Sequence, residues 1–137
     1  MQLVMVEEPT PEDRAAIAAP LMAYNQEHGP EAGAKSLVLL LKDDEGRAIG
    51  GLWGKTVYDW MYVELLAVPD VLRGKGAGAA LLKQAEEMAI SRACVGAWLD
   101  TFAFQARGFY EKLGYTVFGE LNDHPKGSAR YFLMKRF

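Results

Sequence analysis

VLRGKGAGAALL, residues Val71–Leu82, sets three glycines at Gly74, Gly76 and Gly78 against a run of helix formers, with Arg73 and Lys75 between them. A glycine inside a helix costs about 1 kcal/mol relative to alanine, so this spacing weakens the helix it opens. The offsetting gain lies at the helix N-terminus, where the first N–H groups lack intrahelical acceptors and the peptide dipoles leave partial positive charge. With Cβ atoms absent from alternate residues, an anion as bulky as a diphosphate can approach those amides, and Arg73 and Lys75 add local positive charge. The segment is therefore expected to bind a phosphate group.

The stretch GKGAGA also satisfies a dinucleotide-binding fingerprint, and Asp100 lies at a suitable later spacing. Context argues against that reading. The fingerprint follows its strand directly, whereas PDVLR intervenes here, and the elements before it read as a meander rather than the start of a doubly wound sheet. A Walker loop fails because no Gly-Lys-Ser or Gly-Lys-Thr is present.

Working outward, Thr10 is an N-cap candidate with Pro11 at the first helical position and Glu12 and Asp13 in the first turn, which predicts a helix over Pro11–Glu27. Residues 2–7 alternate enough to predict a short strand before it. SLVLLLKDDEGRAIGGLWGKTVYD reads as two strands joined at DDEG, and WMYVELLAV as a third. After the glycine segment, Leu81, Leu82, Ala85, Met88 and Ala89 recur at helical spacing. VGAWLDTF is a strand, FQARGFYEKLG a short helix ended by Gly114, and YTVFGEL and SARYFLMKRF two closing strands. The expected order is βαβββαβαββ, a mixed sheet in which the helix crossover makes one pair parallel.

With 137 residues, 50% hydrophobic and 24% charged, the chain suits one globular domain over 1–137. No internal repeat or low-complexity linker divides it. A net charge of −3 argues against a nucleic-acid groove or a polybasic membrane surface. The single Cys94 excludes an internal disulfide and suits a reducing compartment, and the N-terminus lacks a signal-peptide pattern, so a cytoplasmic protein is expected. Neither histidine has a partner at metal-ligand spacing, and no metal is expected. Cys94, among small apolar residues, reads as a buried inert thiol.

LLAVPDVLRGKGAGAALL resembles the acetyl-coenzyme A site of the GNAT superfamily of N-acetyltransferases. That motif is Gln or Arg, two residues, Gly, one residue, then Gly or Ala, and Arg73, Gly76 and Gly78 occupy its fixed positions. ARGFYEKLGYTVFG is similar to the family's next segment, in which an alanine precedes an aromatic-Tyr pair and a Lys-Leu-Gly helix end. The resemblance covers about residues 35 to 136. It implies a mixed, mostly antiparallel α/β (α+β) sheet of six to seven strands flanked by helices. It also implies acetyl transfer from acetyl-coenzyme A to a primary amine of a small molecule or peptide, by direct attack on the thioester.

By the same resemblance, backbone groups of Leu66, Ala67 and Val68 would bond the pantetheine arm like an added strand, and the amides of Arg73, Gly74, Lys75, Gly76, Ala77 and Gly78 would hold the pyrophosphate. Tyr110 matches the family's proton donor to the departing thiolate. Glu64 interrupts an otherwise apolar strand, where a buried carboxylate is costly unless used, and it is the first candidate for general base, with a surface-facing or lysine-paired strand position as its other reading; Asp100 is the second, with helix capping as its other reading. Phe109, Tyr110 and Leu113 also fit the buried face of a short helix. Many family members carry an asparagine seven residues before the tyrosine, where this chain has Ala103, and Gln105 is the candidate to replace its contacts. Tyr24, His28, Trp53, Tyr58, Trp60, Tyr62 and His124 are candidates for an acceptor pocket. A homodimer is a family expectation. Competing functions are a non-catalytic acyl-coenzyme A binding module on the same fold and a small nucleotide-binding protein.

Overall fold

The computed structural model describes residues 1–137 and divides into two compact units, Met1–Glu31 and Ala32–Phe137. In the first, helix α1 spans Pro11–His28. Its start is a reciprocal capping box: the Thr10 hydroxyl accepts from the Asp13 N–H at 3.2 Å, and the Asp13 carboxylate accepts from the Thr10 N–H at 2.8 Å. The strand expected over residues 2–7 does not form. Those residues are exposed and pair with no other strand, and Pro9 follows closely. Without a partner, an extended segment has no ladder to satisfy its backbone groups.

The second unit is a six-stranded sheet. Its strands are β1 (Lys35–Lys42), β2 (Ala48–Val57), β3 (Trp60–Ala67), β4 (Gly96–Phe102), β5 (Thr116–Asn122) and β6 (Ala129–Arg136), in the spatial order β1-β2-β3-β4-β6-β5. Four of the five pairings are antiparallel. The β3–β4 pair alone is parallel, because the crossover between them is a helix, α2 (Ala77–Ser91). A second helix, α3 (Arg107–Lys112), joins β4 to β5 and ends at Gly114, as the sequence predicts.

One face of the sheet takes α2. Leu82, Ala85 and Ala89 are buried with Leu37, Leu52, Met61, Val63, Ala97, Leu99 and Leu133 in a single core. The buried stripe of α2 differs from its sequence pattern at two positions. Met88 is exposed, and the stripe runs through Leu81, Leu82, Ala85, Glu86 and Ala89. Glu86 is tolerated there because Lys135 on β6 donates to its carboxylate at 2.6 and 3.1 Å, so that neither charge is left unpaired. Cys94 is buried in the same core, and burial pushes its thiol pKa up, as expected for an inert cysteine. No helix is long and apolar enough to cross a membrane.

Leu99 sits on the parallel strand at 1% exposure, whereas Leu65 on the neighbouring strand is 62% exposed. Leu99→Ala should cost about 2–5 kcal/mol in urea unfolding and Leu65→Ala less than about 0.5 kcal/mol. Equal midpoints for the two variants would contradict this packing.

Candidate active site

The site begins where two strands part. β3 and β4 pair from Trp60↔Gly96 to Val63↔Leu99 and no further, while β3 keeps its other partner, β2, as far as Gly51↔Ala67. Beyond Val63, the β3 edge that faces β4 therefore has free backbone donors and acceptors. A bulge marks the change. Trp53 opposes Leu65 and Gly54 opposes Val63, so Glu64 is an extra residue with no partner on β2. The extra residue also shifts the alternation: Met61 and Val63 are buried, and after the bulge it is Leu66 that packs against the core.

A cleft of about 780 Å³ lies beside this free edge. It is lined by Leu66, Ala67 and Val68, by the loop and helix start from Leu72 to Ala79 apart from Lys75, and by Phe104–Ala106, Phe109 and Tyr110. Gly76 is the N-cap of α2, with φ of +79°, and no side chain caps the helix. Gly74 has a φ of +74°, and a Cβ at either glycine would meet nothing within 4 Å. Both glycines are thus favoured by the left-handed backbone conformation and leave open space before the helix amides. Gly78 has a different reason. A Cβ there would come within 3.1 Å of the Phe109 ring, so this glycine lets α3 pack close to the start of α2. Arg73 reaches the cleft rim, bridging to Asp70 at 3.1 Å with most of its side chain in solvent. Lys75 is exposed and lies outside the lining.

Tyr110 closes the cleft at its α3 side. It is 8% exposed, its ring packs edge-on against Phe109 at 5.1 Å and Tyr115 at 6.0 Å, and its pKa is pushed up to about 12 by burial, with the Asp100 carboxylate adding to the shift. The phenol therefore stays protonated far above neutrality. Tyr115 is buried more deeply, its hydroxyl has no partner, and it does not line the cleft. The loop before α3 is set by Gln105, whose side-chain carbonyl accepts from the Phe102 N–H at 2.8 Å and from the Thr101 hydroxyl at 3.3 Å. That assignment leaves the Gln105 amide nitrogen free for the cleft it lines.

The two carboxylate candidates stand across the opening, Glu64 directly after Val63 and Asp100 directly after Leu99. Glu64 is exposed, so the expectation of a buried carboxylate is corrected: the bulge turns it out of the core. Asp100 caps no helix. Its Oδ1 accepts from Arg130 Nε at 2.8 Å and also from Arg130 Nη2. Both carboxylates act on Tyr62, whose phenol pKa is raised by burial first, then by Asp100 and Glu64, against the opposing charge of Arg130.

The other acceptor candidates are scattered. Tyr24 and His28 belong to the Met1–Glu31 unit and stack on each other at 4.0 Å. Trp60 packs under Arg136, Trp53 and Tyr58 are exposed, and Tyr62 stacks on Trp98 at 4.2 Å. His124 meets Phe102 edge-on, and neither residue lines the cleft. Leu72, Ala79 and Phe104 in the lining, and Trp98 and Arg130 beside the opening, are not distinguished in the sequence. Single apolar or basic residues on a strand or loop carry no signal until the strands are paired.

These features have counterparts in known proteins. The sequence model of the acetyltransferase (GNAT) family matches residues 4–115, which run through both compact units. The chain is 38% identical over 137 residues, 100% of both, to an acetyltransferase of Agrobacterium fabrum. It is 37% identical over 93 residues to the blasticidin-S acetyltransferase of Streptomyces morookaense, covering 67% of this chain and 68% of that one. A crystal structure of an acetyltransferase-type chain from Agrobacterium tumefaciens superposes with a TM-score of 0.95 at 38% identity, covering 100% of both chains. The chain belongs to the acetyltransferase (GNAT) family, and it is an acetyltransferase.

Aspartate tolerates the left-handed conformation that Gly76 adopts, so Gly76→Asp should fold while setting a negative charge before the helix amides. Acetyl-coenzyme A at ~100 Kd should stabilise the native protein by about 2.7 kcal/mol in a thermal shift assay, and Gly76→Asp should lose that gain while Gly76→Asn keeps part of it. Full stabilisation of the aspartate variant would place the phosphates elsewhere.

Proposed function

We propose that the cleft holds acetyl-coenzyme A with its pantetheine arm along the free backbone edge of Leu66, Ala67 and Val68, and its diphosphate on the amides from Arg73 to Gly78. The observation that carries this reading is that one cleft joins the unpaired strand edge, the uncapped helix start and Tyr110. An extended arm bonded like a strand reaches from the first to the last of these, and the diphosphate replaces the missing helix cap. Arg73 contributes a solvent-exposed charge near the phosphates. Lys75, outside the lining, contributes through the backbone alone or at longer range.

The acceptor is a primary amine of a small molecule, a reading supported by the name of the Streptomyces relative. Its neutral nitrogen attacks the thioester carbonyl carbon, a C–N bond forms, and the C–S bond breaks. The proton lost by the nitrogen passes to Glu64, and the thiolate takes the proton of the Tyr110 hydroxyl, which is later restored from solvent. Tyr110 suits this role because burial and Asp100 keep it protonated at the pH where the amine reacts. Glu64 suits the other because it is exposed at the opening and joins none of the chain's ion pairs. Asp100, by contrast, is engaged by Arg130. The setting is the cytoplasm, where a lone thiol such as Cys94 stays reduced.

An acceptor screen with thiol detection, including blasticidin S among small amines and peptides, tests the reading; peptide turnover without small-molecule turnover would overturn the acceptor class. Tyr110→Phe removes only the hydroxyl and should lower kcat about 100-fold, the lower end of general-acid effects, with acetyl-coenzyme A affinity unchanged. Equal kcat values with chemistry rate-limiting would return Tyr110 to a packing role. Glu64→Gln should depress turnover most at low pH, where the amine is largely protonated and needs a base; at high pH the free amine makes the base dispensable. An unaltered pH profile would pass the role to Asp100 or water.

A further inference from the structure

Away from the core, an aromatic surface adjoins the cleft that packing does not explain. Phe104 is 69% exposed, although it also lines the cleft. Its ring lies nearly parallel to Phe102, with centroids 5.3 Å apart, so Phe102 backs it from one side and leaves the other open. His124 meets the same Phe102 edge-on at 5.3 Å. Arg130 places its guanidinium 5.3 Å from the Phe102 ring centre and holds the Asp100 carboxylate. Asp100 in turn is the first β4 residue past the last β3–β4 pair. The surface is thus continuous from the cleft, through Phe104 and Phe102, to the strand opening.

Its charge is also set. Arg130 and Asp100 cancel, and Asp100 Oδ2 accepts no bond, while Glu64 across the opening is an unpaired carboxylate. The opening therefore favours a cation, and exposed ring faces favour a flat ring or a cation.

We propose that this surface selects the acceptor: a small cationic amine carried on a flat aromatic or heteroaromatic ring, with the ring on Phe104 and the ammonium group turned toward Glu64 and Asp100. The proposal rests on the acetyl-transfer reading above and names the acceptor class for that site. Phe102 and Arg130 are positioning residues, the first holding Phe104 and the second holding the Asp100 carboxylate in place.

The test uses four amines of equal charge at saturating acetyl-coenzyme A: 2-phenylethylamine, tryptamine, 2-cyclohexylethylamine and butylamine. The cyclohexyl compound matches the phenyl compound in size and apolarity but is not flat. Wild-type kcat/KM should favour the flat rings over the cyclohexyl ring by about 2- to 10-fold. Phe104→Leu and Phe102→Leu should each bring that ratio close to unity. Because the ratio compares amines on one protein, it cancels effects on folding or cosubstrate binding. Equal use of flat and puckered rings by the wild type, or a ratio retained in both variants, would overturn ring selection while leaving acetyl transfer standing. Acetylation of none of the four would count against both.

Discussion

Everything in the site follows from the loss of pairing between β3 and β4 after Val63 and Leu99. Two parallel strands that stayed bonded to their ends would present no free backbone, and the helix between them would begin over a closed sheet. Here the bulge at Glu64 twists β3 away while β2 continues to hold its far edge. The strand is therefore rigid on one side and open on the other. An incoming extended chain finds a preformed template, and no segment of the protein has to be ordered first.

The same separation divides the chemistry. On the cleft side stand Tyr110 and the uncapped helix, both suited to receiving negative charge: a thiolate at one, a diphosphate at the other. On the other side stand Glu64 and Asp100, suited to cations. In the proposed reaction the donor is an anion, and the acceptor arrives as an ammonium ion. The opening keeps the two sets of charges apart until the reacting atoms meet. Asp100 raises the pKa of both Tyr110 and Tyr62, so its field is felt on each side.

Much of this was legible in the sequence because local rules and tertiary structure agree. The glycine spacing at Gly74 and Gly76, the capping pattern at Thr10, and the turn signals gave the helices, the meander and the crossover. What stayed hidden depended on pairing. Glu64 read as a buried carboxylate because simple alternation has no way to announce an inserted residue, and the bulge exists only against Trp53 and Gly54 on another strand. Residues 2–7 read as a strand because alternation carries no information about whether a partner exists. Gly78 read as a phosphate glycine, yet its missing side chain makes room for Phe109, some thirty residues later in the chain. Phe104 and Arg130 joined the opening only once β4 and β6 were in register.

The helix start without a cap has a consequence for how the enzyme finishes its cycle. The diphosphate that would complete α2 is chemically identical before and after the reaction, so the helix is completed equally well by the spent cosubstrate as by the fresh one. Preference for one over the other has to come from the thioester end, near Tyr110, where the acyl group is the only difference. Tight holding at the helix thus works against departure of the thiol product. On the proposed binding mode, the backbone contacts that recruit the donor set a floor on how long its remains occupy the cleft, and free coenzyme A becomes a natural competitor of its own acetylated form.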